Sequence, residues 1–259
     1  MLYLNSLITK VVPQDQYALN FNGTSQYLQS QTTAEGGLDF VKWDRQQPWT
    51  FFINIKDVDI SGIRGVFDSR KRSDFSNGIM IRFLFGKIEC FIISSGLNRL
   101  YVNIPATIFS TLTITYAGTS NANDINFYLD GNLISGKSIL TNSLTSSITS
   151  DNNFKIFLDS FSPSRVSKGK LKHLSFVNYV KSPAERTEDF NNKKQSIGSG
   201  SWLLAPIEPI YKEQLKTLST TDINNPLPNP TAFTNEQGYK LNLVGYPTTL
   251  VKGVDLIQI

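Results

Sequence analysis

The chain has 259 residues, of which 40% are hydrophobic and 12% aromatic, enough apolar material for one large β domain. The net charge is only +4 and no run of lysine and arginine exceeds three residues, so the sequence lacks the basic surface that nucleic-acid binding requires. The single cysteine, Cys90, cannot form an internal disulfide, and no stretch approaches the roughly 18 apolar residues of a membrane span, which argues against membrane insertion.

The beginning of the chain predicts an N-terminal arm and then a first pair of strands. Residues 1–15 contain Pro13, and they lack the basic and apolar regions of a signal peptide, so we expect no export by that route. Residues 17–21 and 27–30 are rich in β-forming residues and flank Asn22-Gly23, a dipeptide that favours tight turns. This pattern predicts a hairpin.

The next part of the chain predicts strands at 49–55, 65–68, 78–83, 87–94 and 100–104. The basic triplet Arg70-Lys71-Arg72 falls between two of them, and we expect it to lie in a solvated hairpin loop. Cys90 lies in an apolar run, which indicates a packed thiol rather than a nucleophile.

Residues 111–116 alternate strictly between apolar and polar side chains, which is typical of a strand that is half-buried on one face. Residues 125–129 and 133–135 flank Asp130-Gly131, the strongest hairpin signal in the chain. Residues 154–158 and 171–177 predict two more strands.

A helix signal occurs at Ser182-Pro183-Ala184-Glu185, where a capping serine precedes a proline at the first helical position and a glutamate at the third. This helix can run to about residue 191. Many short strands with almost no helix predict an all-β fold with two antiparallel sheets packed as a sandwich. Together these signals place the main domain at residues 16–192.

The composition changes after residue 192. Residues 195–201 are rich in glycine and serine, and residues 224–230 contain three prolines, which exclude a central strand. Residues 202–204 and 239–244 still predict strands. We therefore expect 193–259 to be a C-terminal extension that packs on the sandwich or serves in assembly.

The order of these elements resembles the laminin-G-like jelly roll, a member of the concanavalin A-like lectin and glucanase fold. The similar pieces cover about residues 16–192 and are the opening Leu19-Asn20-Phe21-Asn22-Gly23-Thr24-Ser25-Gln26-Tyr27-Leu28, the aromatic Trp49-Thr50-Phe51, the turn Phe127-Tyr128-Leu129-Asp130-Gly131-Asn132-Leu133-Ile134, the strand from Gly169 to Asn178, and Ser182-Pro183-Ala184-Glu185. The chain departs from the family where two acidic residues commonly follow the position of Leu171, because here they are Lys172 and His173.

The carboxylates and the single histidine argue against catalysis. Glycosidases of this fold carry paired carboxylates on one strand, and no Glu-x-Asp-x-x-Glu pattern is present. A polysaccharide lyase would have to use His173, which lies in the interior of a predicted strand and is more typical of a structural residue. We therefore predict that the protein is not an enzyme, with a lyase or glucanase as the weakest alternative.

Two candidate binding sites follow from residue types that suit sugars and calcium. Aromatic and polar side chains that could hold a sugar are Trp43, Asp44 and Arg45, in the loop before the strand at Trp49, together with Tyr101. Carboxylate and amide oxygens that could hold Ca²⁺ are those of Asp151, Asn153 and Asp159, although such residues also form ordinary turns. Calcium is the one cofactor that the sequence suggests.

Three functions remain open. The first is a structural or adhesion subunit of a virus particle, such as a head decoration, head fibre or tail component of a bacteriophage, which would bind other virion subunits or itself. The polar, hydroxyl- and amide-rich composition and the unmatched ends of the chain favour it. The second is a carbohydrate-binding module of a bacterial surface, which would be extracellular and bind a surface glycan. The third is the enzyme alternative.

Overall fold

A computed structural model describes residues 17–30, 44–70, 77–148, 154–192, 226–228, 232–234, 240–245, 249–251 and 256–258. The predicted arm at 1–15 and the predicted strand at 202–204 lie outside these residues. The strands in chain order are β1 (Tyr17–Asn22), β2 (Tyr27–Ser30), β3 (Trp49–Lys56), β4 (Ile63–Asp68), β5 (Gly78–Leu84), β6 (Lys87–Ser95), β7 (Asn98–Pro105), β8 (Thr111–Tyr116), β9 (Ile125–Leu129), β10 (Asn132–Leu133), β11 (Ser138–Asn142), β12 (Lys155–Ile156), β13 (Lys168–Val177), β14 (Pro226–Pro228), β15 (Ala232–Thr234), β16 (Lys240–Val244), β17 (Thr249–Val251) and β18 (Leu256–Gln258).

Two antiparallel sheets make the body of the fold. A seven-stranded sheet has the order β10-β9-β8-β3-β13-β1-β18, and a nine-stranded sheet has the order β11-β7-β6-β5-β4-β12-β2-β16-β15. A separate pair joins β14 and β17. In the described residues, the helices are a 3-10 turn at Ala122–Asp124 and α1 at Pro183–Asn192. The predicted two-sheet antiparallel sandwich with one short α-helix is confirmed.

The core lies between the two sheets, because alternate side chains of each strand point inward. Phe51 and Phe176 of the seven-stranded sheet meet Phe67 of the nine-stranded sheet, with ring centroids 5.6 and 5.5 Å from the Phe67 centroid. Each such fully buried side chain contributes roughly 1.5–3 kcal/mol through the hydrophobic effect. Trp49 and Cys90 lie in the same core, which confirms the predicted packed thiol.

The outer face of the seven-stranded sheet is also buried at its middle strands β3 and β8. Thr113 and Thr115 of β8 are 4% and 2% exposed, so the prediction that this strand is half-buried on one face is wrong. Helix α1 packs on this side of the molecule, with the Arg186 guanidinium 4.3 Å from the ring centroid of Tyr128. An alternating pattern shows that one face of a strand is apolar and the other polar. It does not show whether another element covers the polar face and buries its hydroxyl groups.

The turn at Asn22-Gly23 joins the two sheets and does not form the predicted hairpin. Strand β1 pairs with β13 and β18, whereas β2 pairs with β12 and β16 in the other sheet. Asn22 Oδ1 accepts the backbone N–H groups of Thr24, Ser25 and Gln26, and this local turn redirects the chain between the layers.

The second predicted hairpin is present. Strands β9 and β10 pair across Asp130 and Gly131, which have φ values of +48° and +79° as a type I′ turn requires. Asp130 Oδ1 also accepts the backbone N–H groups of Ser110 and Thr111, so the same carboxylate ties the turn to the start of β8.

Strands from the end of the chain extend both sheets. Strand β18 pairs with β1, and β16 pairs with β2 and carries β15 at its outer side. Among the described strands, the proline-containing β14 pairs with β17 alone, in agreement with the exclusion of prolines from central strands. The domain boundary at residue 192 stays a prediction.

None of the helices in the described residues has the length and hydropathy needed to cross a lipid bilayer.

Candidate functional site

The outer face of the nine-stranded sheet carries a cluster of arginine, carboxylate and aromatic side chains. On β5, β6 and β7, every second residue enters the core, and the residues between them point outward. We define the outer-face cluster as the residues of this side that apolar packing, ring contacts and ion pairs join, namely Asp68, Arg70, Met80, Arg82, Glu89, Phe91, Ile93, Arg99, Tyr101, Asp159 and Arg165.

Two aromatic rings form the middle of the outer-face cluster. Phe91 and Tyr101 are directly opposite each other on β6 and β7, and their rings stack with centroids 3.9 Å apart. The guanidinium of Arg82 lies 5.1 Å from the Phe91 centroid, and that of Arg99 lies 5.7 Å from the Tyr101 centroid. Cations over aromatic faces are attracted by the ring quadrupole, so the stack holds positive charge around it.

Glu89 links the aromatic pair to the arginines. This carboxylate is fully buried; it accepts a hydrogen bond from Tyr101 Oη and one from Arg82 Nε at 2.7 Å. Burial and the neighbouring Glu89 carboxylate raise the pKa of Tyr101 to about 12. The phenol therefore stays protonated and acts as a donor.

A second group of ion pairs adjoins the first. Arg70 holds Asp68 through two hydrogen bonds of 2.9 and 2.8 Å, and its Nη2 also lies 2.6 Å from Asp159 Oδ1. Asp159 Oδ2 lies 3.2 Å from Arg165 Nη1 and 3.7 Å from Arg82 Nη1. Burial opposes the charge on Arg70, but the two carboxylates outweigh it and raise its pKa.

Arg70 does not occupy the solvated loop that its sequence context predicts. The residue is 8% exposed and lies directly after β4, where its guanidinium turns back onto the buried Asp68. The rest of the basic triplet, Lys71 and Arg72, lies outside the described residues. Arg70 is buried here because two buried carboxylates, Asp68 and Asp159, pair with its guanidinium.

The structure places the predicted sugar-binding residues on separate elements. Tyr101 is in the outer-face cluster, whereas Asp44 and Arg45 lie in the connection that leads into β3. Arg45 Nη1 donates to Ser120 Oγ at 3.2 Å, so the arginine serves to fasten this connection to a neighbouring loop. Trp43 lies outside the described residues.

The predicted calcium ligand Asp159 is surrounded by cations. Its two oxygens contact Arg70, Arg82 and Arg165, and three guanidinium groups leave neither room nor favourable potential for Ca²⁺. Asp159 is therefore an ion-pair residue in this structure. Asp151 and Asn153 lie outside the described residues, and their part of the calcium hypothesis stays a prediction. The described residues contain no group of three or more histidine, cysteine and acidic side chains that could hold a metal ion.

Sequence reasoning missed most of the outer-face cluster. Arg82 and Glu89 were visible only as interruptions of the apolar region between residues 79 and 93. Their alternation with Ile81, Ile88 and Cys90 was the available signal, because a period of two puts interruptions on one face. The contact between Arg82 and Glu89 depends on the register in which β5 and β6 pair. That register is seen only in the three-dimensional structure.

The one histidine lies on the opposite side of the molecule from this cluster. His173 is a buried residue of β13, on the outer face of the seven-stranded sheet, where it pairs in register with Asn54. Tyr101 lies on the outer face of the nine-stranded sheet, so the whole sandwich separates these two groups. His173 and the sugar-binding candidate Tyr101 are therefore not brought together.

No protein-family model and no curated protein matches the chain. Solved structures with a similar arrangement include the binding domain of botulinum neurotoxin DC in complex with rat synaptotagmin II, with 12% identity and a TM-score of 0.45 over 57% of this chain and 36% of that chain. The same binding domain in complex with SialylT gives 12% identity and a TM-score of 0.44 over the same shares. A mutant of HCR D/C VPI 5995 gives 12% identity and a TM-score of 0.48 over 69% of this chain and 46% of that chain.

The chain thus spans less than half the length of each of these structures. Such scores and identities are too low to support a conclusion about this protein's ligand.

Proposed function

We propose that this chain is a non-catalytic adhesion domain that binds a saccharide through the outer-face cluster. The observation that carries the proposal is the half-buried pair of Arg99 and Tyr101 on a sheet face whose other charges are already fixed by one another. A rigid aromatic surface flanked by a few oriented polar groups is the usual composition of a small-ligand site.

The same geometry disfavours hydrolysis by the outer-face cluster. A glycosidase needs one carboxyl group as an acid and a second as a base or nucleophile across the scissile bond. Here Asp68, Glu89 and Asp159 are fully buried, and each contacts at least one guanidinium. These carboxylates therefore position the arginines and do not face a substrate.

The setting that we propose for this domain is a virus particle, in which it would act as a structural or adhesion subunit of a bacteriophage. Support comes from the order of elements that resembles a laminin-G-like jelly roll and from the low charged fraction of 18%. The alternative setting is a carbohydrate-binding module of a bacterial surface, which would use the same face.

The test is a saccharide array probed with the full chain and with two tyrosine variants. Tyr101→Ala should abolish retention of the saccharides that the wild type binds, because it removes the ring from the outer-face cluster. Tyr128→Ala is the matched control, since Tyr128 also stacks under an arginine but lies on the other sheet. Retention by the control at the wild-type level is expected.

Two results would contradict the proposal. One is that Tyr101→Ala and Tyr128→Ala lose saccharide binding equally, or keep it equally, while their circular dichroism spectra match that of the wild type. The other is shortening of a bound polysaccharide during incubation, measured by size-exclusion chromatography. Loss of such cleavage in His173→Ala would then establish the enzyme alternative.

A further inference from the structure

Arg99 differs from every other arginine of the outer-face cluster. Arg70, Arg82 and Arg165 each contact a carboxylate, whereas none of the ion pairs of the described residues includes Arg99. Its Nε is buried and has no hydrogen-bond partner among the described residues. Its guanidinium lies over two aromatic rings, 6.0 Å from the Phe91 centroid and 5.7 Å from the Tyr101 centroid.

This arrangement is costly unless a partner arrives. A buried donor without an acceptor loses its water without replacement, and the penalty for a charged group is larger than for a neutral one. The cluster contains four arginines and three carboxylates, Asp68, Glu89 and Asp159, so the unmatched positive charge is located at Arg99. An anionic ligand supplies the missing acceptor.

The space beside Arg99 suits a ring-shaped polar ligand. One face of Tyr101 is covered by Phe91, and the strand on its other side is β11, at the edge of the sheet. Thr141 is opposite Tyr101 on that strand, and Tyr101 is half-buried, so part of its side chain is accessible to a ligand. Aromatic rings bind the apolar faces of flat or chair-shaped ligands. A hydroxyl group such as that of Thr141 can form hydrogen bonds with the hydroxyl groups of the ligand.

The balance of charge favours a single acidic group over a polyanion. Polyphosphate backbones are held by many basic side chains on one surface, whereas here three buried carboxylates pair with three of the four arginines and leave only Arg99. A planar carboxylate matches the planar donor fork of a guanidinium. The ligand chemistry that fits is therefore a sugar ring that carries a carboxylate.

We infer that the Arg99–Tyr101 end of the outer-face cluster binds an acidic saccharide, with its carboxylate on the Arg99 guanidinium and its ring over Tyr101. This inference rests on the proposed function and names its ligand class. It requires no movement of the three arginines that are already paired.

The experiment uses an array of acidic oligosaccharides, each printed beside the same oligosaccharide with its carboxyl groups reduced to alcohols. The wild-type chain should bind the acidic oligosaccharide at least about tenfold more tightly than its carboxyl-reduced form, because the reduced form cannot make the charge-assisted hydrogen bond. Arg99→Gln should remove this preference, and Arg99→Lys should keep part of it because it keeps the charge without the planar fork.

Arg64→Gln is the matched control. Arg64 is another half-buried arginine whose Nε lacks a partner, but it pairs with Asp59 and takes no part in the aromatic stack. This variant should bind both members of each pair as the wild type does. Thermal unfolding of all three variants shows whether each is folded.

The outcomes separate the two levels of the proposal. Equal binding of acidic and reduced members by the wild type overturns this inference and leaves the proposed function standing. Binding of no saccharide overturns the proposed function and the inference with it. Free acetate that competes as effectively, per carboxylate, as an acidic oligosaccharide shows recognition of a simple anion and overturns the saccharide assignment.

Discussion

Arginine side chains on the outer face of the nine-stranded sheet are held in place by buried carboxylates. Asp68 and Asp159 are both 0% exposed, and Arg70 bridges them with hydrogen bonds of 2.6–2.9 Å. Bringing such charges out of water costs several kcal/mol per ion, so the pairs fix geometry more than they add stability. The consequence is a rigid charged surface beside Tyr101.

The first prediction concerns loss of one buried partner. Asp159→Asn leaves the guanidinium groups of Arg70 and Arg165 without their shared counter-charge, and it should lower the free energy of unfolding by about 3–5 kcal/mol. Urea denaturation followed by tryptophan fluorescence measures this change.

Asp59→Asn provides the comparison for that measurement. Asp59 pairs with Arg64 at 3.4 Å, with side chains 31% and 28% exposed, and the asparagine retains an acceptor for the Ser61 hydrogen bonds. A loss below about 1 kcal/mol is expected for this more exposed pair. Similar losses in the two variants would show that the buried network has no special role.

The residue types of the candidate site were only partly predictable. Tyr101 was selected as a sugar-binding candidate from its residue type, and it lies in the outer-face cluster. Arg82 and Glu89 were not selected, because a charge inside an apolar run gives no sign of its partner seven residues away. The sequence places Arg70 in solvent because no local pattern shows that Asp68, two residues before it, is buried, or that Asp159, 89 positions further along the chain, pairs with it.

At the scale of elements, helix α1 shows a strong local signal. Ser182 Oγ accepts the Glu185 backbone N–H at 3.3 Å, and Glu185 Oε2 accepts the Ser182 N–H at 2.7 Å. This reciprocal capping box matches the predicted one, and the helix extends from Pro183 to Asn192 as its sequence suggested. Local hydrogen bonds of this kind depend on four consecutive residues and need no tertiary contact.

The second prediction is a pH dependence from this helix. Hydrogen bonds from Ser182 lower the pKa of Glu185 from its ordinary value of 4.5, so the ionised carboxylate stabilises the folded state. A lowered pKa contributes stability that is present above the ordinary value and is lost as the pH falls through the folded-state value. Glu185→Gln should therefore be less stable than the wild type at neutral pH, by less than about 1 kcal/mol.

The difference between Glu185→Gln and the wild type should shrink below pH 4.5 and disappear once the carboxyl is protonated. Denaturant titrations at a series of pH values measure it. Glu188→Gln changes an exposed position of the same helix outside the capping box and should show a smaller difference. A difference for Glu185→Gln that stays constant at acidic pH would exclude the electrostatic origin.

Strand pairing was less predictable than strand position. Asn22-Gly23 and Asp130-Gly131 are turn dipeptides of the same chemistry, yet only the second closes a hairpin. The strands on either side of the first dipeptide lie in different sheets, where β1 pairs with β13 and β2 pairs with β12 and β16. Turn chemistry reverses the chain direction, and competition among distant strands decides the sheet.

At the scale of the whole molecule, the last strands of the chain occupy the edges of both sheets. Strand β18 ends the seven-stranded sheet, and β15 ends the nine-stranded sheet. Edge strands present unpaired backbone groups that can add a further strand from another molecule. This arrangement is compatible with assembly and bears on the proposed virus-particle setting.

The prediction at this scale concerns oligomeric state. A particle subunit should form an oligomer, with a mass in light scattering that is a multiple of the 29.0 kDa chain. Phe233→Asp, in the edge strand β15, should then reduce the mass if that edge takes part. A chain that remains a monomer at all concentrations and still binds saccharides would favour the carbohydrate-binding module instead.

The sequence by itself determined the class of fold, the positions of most strands and helix α1, because these depend on periodicity, β-forming residues and a four-residue cap. The tertiary structure decided which strands pair, that β8 is buried on both faces, and that Arg70 and Asp159 meet. It also decided that His173 and Tyr101 lie on opposite sides of the sandwich. Each of these results depends on contacts between residues far apart in the chain, and no local pattern carries that information.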